Sequence, residues 1–225
     1  NNIISQESIF VDDTVKIYPN VFLDASEGEI IIESESIIYP YCYLKGPLYI
    51  GSNCTIHAHT IIGNNSIIGP HSKIGGEISN CIVQGNTNKS HYGYLGNSYI
   101  GEWVNLGAGT TCSNLKNNYS NVKLEINNVS TDTGEIKIGC FIGDYTKTSI
   151  GTLLNTGSII NFGCNILSCY SIPKYLPPFS WFINGINTKY KWSKFIQTLE
   201  IVKKRKACAV TKAEREILKR YHANS

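Results

Sequence analysis

Aliphatic residues recur at a spacing of six along the chain. Ile32, Ile38, Leu44, Ile50, Ile56, Ile62, Ile68 and Ile74 form eight consecutive positions without a miss. Four residues after each stands a second position that is small or β-branched in most repeats: Ser36, Cys42, Cys54, Thr60, Ser66, Ser72 and Ile78, with Leu48 the exception. A shorter run precedes (Val11, Ile17, Leu23) and another follows (Ile100, Leu106, Cys112). A third run holds Ile142, Thr148, Leu154, Ile160 and Ile166, with Thr146, Thr152, Ser158 and Cys164 four residues on. Neither the 3.6-residue period of a helix nor the alternation of a half-buried strand produces this pattern. A period of six describes one face of a triangular coil. Each hexad is a short strand plus a corner, with the aliphatic pointing into a narrow prism and the smaller residue filling space near the corner. Gly51, Gly63, Gly69 and Gly75 directly follow aliphatics and are expected to ease the turn, because glycine tolerates φ > 0.

Hexapeptide repeats are a solenoid signature. They resemble the left-handed parallel β-helix, an exception to the usual right-handed crossover. The expected fold is therefore all-β, a hexapeptide-repeat solenoid with C-terminal helices. Two segments lack the hexad, 85–99 and 113–137, and are expected to emerge as loops, where solenoids often build their binding face. The repeat fades after Ile166, and Ile172-Pro173-Lys174-Tyr175-Leu176-Pro177-Pro178 reads as a rigid exit. Phe195, Ile196, Leu199 and Val202 then fall at helical spacing, and Thr211-Lys212-Ala213-Glu214 reads as a capping box. Helices are expected near 189–208 and 211–222, capping the open end of the solenoid or packing on a neighbouring subunit. The expected division is a β-helix domain over 1–172 and an exit with C-terminal helices over 173–225.

Composition narrows the class. Hydrophobic residues make up 42% of the 225 and charged residues 16%, ordinary globular material that excludes a disordered chain. No apolar run approaches the ~20 residues of a membrane span, and the first residues carry neither the charge nor the apolar core of a signal peptide. The chain lacks Met and starts at Asn1, so it is expected to be part of a longer protein. Residues 1–188 carry 9 Lys+Arg against 14 Asp+Glu, whereas 189–225 carry 11 against 3. Such a basic end is read as a solvated helical face rather than a nucleic-acid or membrane surface. The 8 cysteines form no CxxC pair and no zinc-spaced cluster with histidine, and are expected to be reduced thiols of a cytoplasmic protein, with Cys42, Cys54 and Cys164 packed inward.

Candidate chemistry lies in His91-Tyr92-Gly93-Tyr94-Leu95-Gly96, in Val104-Asn105-Leu106-Gly107-Ala108-Gly109-Thr110, and at Asn114. This stretch is similar to the β-helical part of the uridyltransferase/glucosamine-1-phosphate acetyltransferase family, whose pattern runs H-x-x-Y-L-G, V-N-I-G-A-G-T and then a C-N-Y element. Val122 to Ile166 and the ending Pro173 to Trp181 look like sugar-phosphate nucleotidyltransferase relatives with an acetyltransferase-type tail.

The resemblance implies a homotrimer that transfers the acetyl group of acetyl-CoA to an amino-sugar phosphate. By it, His91 is the general base, and a histidine, titrating near neutral pH, suits removal of a proton from a sugar ammonium. Tyr94 and Asn105 would bond the sugar phosphate, and Asn114 the acetyl group or the sugar. Lys123 stands where the family places a phosphate-binding lysine, while Ala108 and Lys147 would meet CoA. Two family cations upstream fall instead on Ile61 and Ser79, neither of which can pair with a phosphate, and the family's Tyr after Asn is here Leu115. These departures keep a second reading open, a non-catalytic trimerising or regulatory module of a sugar-1-phosphate nucleotidyltransferase. No Gly-rich nucleotidyltransferase loop occurs in these residues, so any such domain is expected upstream of Asn1. His57, His59 and His71 lack the gaps of a trimer-interface zinc site, and no metal is expected.

Overall fold

The computed structural model describes residues 2–126, 129–168 and 171–225. Short parallel strands stack into the three walls of a left-handed β-helix of about ten turns. Wall A runs from Asn2–Ile4 through Tyr43–Lys45 to Tyr94–Gly96, and continues in the pair Thr111–Cys112 and Leu153–Leu154. Wall B runs unbroken through nine strands, from Ile9–Val11 to Tyr175–Leu176. Wall C begins at Lys16–Ile17, passes the single bridge residue Asn105, and ends at Ser180–Ile183 with the antiparallel Ile186–Lys189.

The register shows why a period of six folds this way. Ile38, Ile56 and Ile74 lie directly above one another on wall C, Leu44, Ile62 and Ile78 on wall A, and Ile50, Ile68 and Val83 on wall B. All nine are buried. Each such side chain contributes roughly 1.5–3 kcal/mol of burial, so the column is the core. The second inward site is small because its side chain must bond the backbone of the next coil. Ser36 Oγ donates to Gly51 O at 2.9 Å and accepts from Cys54 N at 2.9 Å, and Thr146 Oγ1 donates to Asn161 O at 2.8 Å. Cys42, Cys54 and Cys164 occupy this site as free, buried thiols, and burial pushes the Cys54 and Cys164 thiols up to about 11. Cys169 lies outside the described residues.

Four expectations change. First, the glycines after the aliphatics do not turn the chain. The left-handed corners belong to residues such as Asn53, His59, His71, Asn80 and Trp103, and to other glycines such as Gly151 and Gly163. Gly69 and Gly75 are needed for close approach instead, since a Cβ would lie 2.6 Å from Gly85 N and 2.3 Å from Ser90 O of the next coil.

Second, 85–99 is not a loop but a regular coil, with strands at Asn88–Lys89, Tyr94–Gly96 and Tyr99–Ile100. Its hexad is hidden because Lys89 takes the inward place above Ile74, and because corners before Ile78, Val83 and Ile100 lose one or two residues. The segment 113–137 does leave the ladders, carrying an antiparallel pair, Lys123–Ile126 with Val129–Asp132.

Third, the ladders run past Pro173. Leu176 stacks on Ile160, and Phe182 on Ile166. Fourth, helices α1 (Trp192–Lys204) and α2 (Lys212–Asn224) form, the latter with the Thr211–Glu214 capping box, but they do not close the end of the prism. They lie along the edge between walls B and C. Phe195 packs edge-on to Phe179 and Tyr145, Lys203 sits 5.1 Å over the Trp103 ring, and Lys206 donates to the His71 carbonyl at 2.7 Å. Phe179, Tyr145, Trp103 and His71 lie in progressively earlier coils along this edge, so α1 and the turn after it run back down the solenoid. The pair Lys203–Glu214 at 2.6 Å, with Tyr145 Oη donating to the same carboxylate at 2.7 Å, ties both helices to that edge.

Candidate active site on the edge between walls C and A

Lys89 ends a wall C strand and Tyr94 begins a wall A strand, so His91 occupies the edge between the two walls. The imidazole is exposed. Its backbone is held from inside the prism: the buried Lys89 Nζ donates to His91 O at 3.0 Å and to Gly75 O at 2.6 Å. No carboxylate bonds this ammonium among the described residues, and burial pushes the Lys89 amine down to about 8. One coil on, Gly109 N donates to Tyr92 O at 3.0 Å, and a Cβ on Gly109 would lie 2.9 Å from Tyr92 Oη. Ala108 sits at this same edge, its carbonyl accepting Gly151 N at 2.8 Å.

Wall A carries the first polar group beside His91. Asn114 Nδ2 donates to Tyr94 Oη at 3.0 Å and to Asn97 Oδ1 at 2.7 Å, and Ser79 Oγ lies 3.5 Å from Tyr94 Oη. The glycine ending the H-x-x-Y-L-G pattern has a local reason. A Cβ on Gly96 would lie 2.1 Å from Tyr94 Oη, so only glycine lets the phenol reach along the wall to Asn114. Ser79 and Asn97 were not singled out by pattern as partners; only the stacking of Ser79 on Gly96, one coil apart, brings them here.

Wall C carries the second group. Asn105 bridges Asn88 below and Lys147 above, and Asn88 Nδ2 lies 3.5 Å from Asn105 Oδ1. Lys147 donates to the Tyr145 carbonyl at 3.1 Å, and burial alone pushes its amine down to about 8. The residues expected in one site thus fall on two walls: Tyr94 and Asn114 on wall A, Asn105 and Lys147 on wall C, with His91 and Ala108 on the edge between them. Lys123 stands apart on the 113–137 excursion, opposite Asp132.

The other histidines separate. His57 stacks on Tyr39, which stacks on Tyr18, while His59 stacks on Tyr41. His71 lies on the opposite edge, under Lys206. His57 Nε2 is buried with no partner among the described residues, and burial, then Lys73 and His91, lower its pKa.

Comparison with known proteins agrees with this architecture. The model of the bacterial transferase hexapeptide (six repeats) family matches residues 49–76, within the unbroken hexad run. A bifunctional sugar-1-phosphate nucleotidylyltransferase/acetyltransferase of Sulfurisphaera tokodaii is 31% identical over 165 residues, covering 70% of this chain and 37% of that protein. The bifunctional protein GlmU of Wigglesworthia glossinidia brevipalpis is 29% identical over 167 residues, covering 73% and 33% respectively. The chain thus spans about a third of the length of these relatives. Among solved structures, the UDP-N-acetylglucosamine acyltransferase of Francisella novicida matches with a TM-score of 0.54 at 15% identity, covering 99% of this chain and 87% of that one, a likeness of fold. The chain carries the hexapeptide repeat of bacterial transferases on a left-handed β-helix, and over about 70% of its length it is homologous to the GlmU-type bifunctional nucleotidyltransferase/acetyltransferases.

Proposed function

We propose that this chain is a CoA-dependent N-acetyltransferase acting on an amino-sugar-1-phosphate of the glucosamine-1-phosphate kind, within nucleotide-sugar biosynthesis. The observation that carries the reading is the exposed His91 imidazole, fixed through its carbonyl by Lys89, beside the bonded Tyr94–Asn114–Asn97 group. In this reading His91 takes a proton from the sugar ammonium, and the freed amine attacks the acetyl thioester carbon. An amide C–N bond forms, the C–S bond breaks, and CoA leaves as the thiol. Proton transfer of this kind is worth roughly 10²–10⁴ in rate. Tyr94, Asn105 and Asn114 bind the sugar phosphate across the edge, while Ala108 and Lys147 face the cosubstrate.

A homotrimer is part of the proposal. The central outward residues of wall B stack as Phe10, Ile31, Tyr49, Ile67, Ile82, Tyr99, Phe141, Ile159 and Tyr175, one above another without a polar interruption. A continuous apolar stripe of this kind marks an interaction face. Three copies meeting through it around a threefold axis close the assembly and leave walls A and C for chemistry. The free thiols among the described cysteines support a reducing, cytoplasmic setting.

One observation favours the non-catalytic module instead. Ile61 stands exposed on wall A between Tyr43 and Glu77, and Ser79 offers only a hydroxyl, so the upstream cationic grip on a sugar phosphate is missing. A thiol-release assay with acetyl-CoA across amino-sugar-1-phosphates decides. Turnover of one such sugar supports the transferase. Absence of turnover with every amino-sugar phosphate, in a trimer that is otherwise folded, supports the module.

A further inference from the structure

A groove of about 600 Å³ lies on the edge between walls B and C, where α2 stands off the solenoid. Gly143, Tyr145 and Phe162 form its solenoid side, and Ile217, Leu218 and Tyr221 of α2 form the other. Its two carboxylates are already engaged: Asp144 accepts Glu102 N at 2.8 Å, and Glu214 accepts Lys203 at 2.6 Å and Tyr145 at 2.7 Å. What remains to be offered is apolar. Ile217 and Tyr221 are 56% and 57% exposed, and the Tyr221 ring meets Phe162 edge-on at 5.6 Å. The groove borders the apolar column of wall B, because Gly143 and Phe162 lie within two residues of the strands that carry Phe141 and Ile159.

The opposite edge of wall B carries a matching projection. The excursion 113–137 leaves wall A after Cys112 and rejoins the ladders at Cys140 of wall B. Its root is fixed: Val122 is buried, its carbonyl accepts Thr133 Oγ1 at 2.7 Å, and its amide donates to Glu135 O at 2.8 Å. The hairpin beyond the root has two unlike faces, because side chains alternate along each strand. Lys123, Glu125, Ser130 and Asp132 share one face, and Leu124, Ile126, Val129 and Thr131 share the other. The second face begins on the chain's own wall B, where Leu124 lies against Gly157. Its outer pair, Ile126 opposite Val129, runs on beyond that support and is 47% and 62% exposed. A two-stranded hairpin gains little stability by itself, so an apolar outer half points to a partner surface.

Within one chain the hairpin and the groove lie on opposite edges of wall B, and no hairpin residue lines the groove. A second copy brings them together. Contacts around a cyclic trimer are heterologous, so the A–B edge of one copy faces the B–C edge of the next. Contact along the whole wall B column keeps the three prisms parallel to the threefold axis, and rotation about that axis leaves heights unchanged. Hairpin and groove share a height, since the strand Cys140–Ile142 follows the hairpin and runs straight into Gly143 and Tyr145. Charge agrees with the pairing. Residues 1–188 hold five more acidic than basic residues, whereas 189–225, which include α2, hold eight more basic than acidic. We propose that the hairpin of each copy seats Ile126 and Val129 in the α2 groove of its neighbour, three times around the ring. This rests on the homotrimer proposed above and not on acetyl transfer.

The test uses the whole chain and sedimentation over a range of concentrations. Val129→Lys and Ile217→Asp each place a charge on one of the two surfaces. Both positions are exposed within the chain, so each variant is expected to keep the wild-type circular dichroism. Each is expected to raise the concentration of half-assembly roughly tenfold. The chain that carries both is expected to regain most of that loss, because lysine and aspartate then meet across the interface. A trimeric wild type whose two single variants assemble equally well overturns the inference, leaves the wall B trimer standing and frees the groove for another occupant. A double variant that assembles no better than the weaker single one also overturns it, since the two surfaces would then not face each other. A wild type that sediments as a single chain at micromolar concentration removes the trimer, and the inference with it.

Discussion

Walls B and C rise from the same six-residue repeat and share one interior, yet their outer faces differ. Wall B presents nine apolar side chains in a column, whereas wall C, between Thr55 and Trp181, presents Lys73, Asn88, Asn105, Lys147 and Asn165 in register. The prism constrains only the inward positions, where a narrow cross-section accepts an aliphatic and a small partner. The outward positions alternate with them and carry no packing duty inside the coil. One wall can therefore be given to assembly and its neighbour to polar ligands without changing the fold. In the proposed function, the edge between walls C and A, where His91 sits, is where the cosubstrate and the sugar meet.

The largest expected effect comes from removing the group at that edge. His91→Ala should lower kcat by roughly 10²–10⁴ if the imidazole is the base, with a smaller effect on CoA binding. Equal turnover by two proteins that melt alike would remove His91 from the mechanism.

Assembly should respond to wall B and not to wall C. Ile67→Asp with Tyr99→Asp places two carboxylates in the apolar column, where they would be desolvated in any interface. Light scattering is expected to show a trimer for wild type and the mass of a single chain for this variant. The matching change on wall C, Lys73→Asp, should leave the trimer intact. A wild-type monomer at micromolar concentration, or a trimer that tolerates the wall B carboxylates, would dissolve the contrast between the two faces.

What could be read from the chain follows the same division. Inward positions repeat, so the prism was visible in Ile32 to Ile74, and the capping box at Thr211 marked the start of α2. The coil 85–99 was missed because periodicity weighs side-chain type, and Lys89 breaks the type while keeping the place. The glycines were misjudged because close approach between coils leaves no trace within a single coil. Within the site, the likeness at His91, Tyr94 and Asn114 pointed to residues that the fold brings to one edge and one wall. Lys147 was singled out by likeness, but its nearness to Lys73 and Arg205 was invisible, since they meet only once coils are counted and the course of α1 is known. Local helical spacing at Phe195 and Leu199 gives a helix but not the edge along which it lies.

The smallest expected effect tests the one place where the interior breaks its own rule. Lys89 stands in a column of aliphatics, and its amine is pushed down to about 8 by burial, from an ordinary 10.5. Below pH 8 the amine is charged in both folded and unfolded chains, and the folded protein bears the full burial penalty. Between pH 8 and 10.5 the unfolded chain keeps its proton while the folded chain releases it. Stability against unfolding should therefore rise with pH across that window, by an amount of order 3 kcal/mol. Lys89→Met removes the titrating group and keeps the stem, so its stability should lack this rise. The thiols and phenols that titrate at alkaline pH are common to both proteins and largely cancel in the difference. Urea unfolding of the two at pH 7, 8.5 and 10 should show Lys89→Met the more stable at pH 7, with the gap closing by pH 10. The variant should also lose some turnover, because nothing then holds the His91 carbonyl from inside. A gap that stays constant with pH would mean that Lys89 does not titrate inside the prism, and its bonds to Gly75 and His91 would then be worth more than the burial they require.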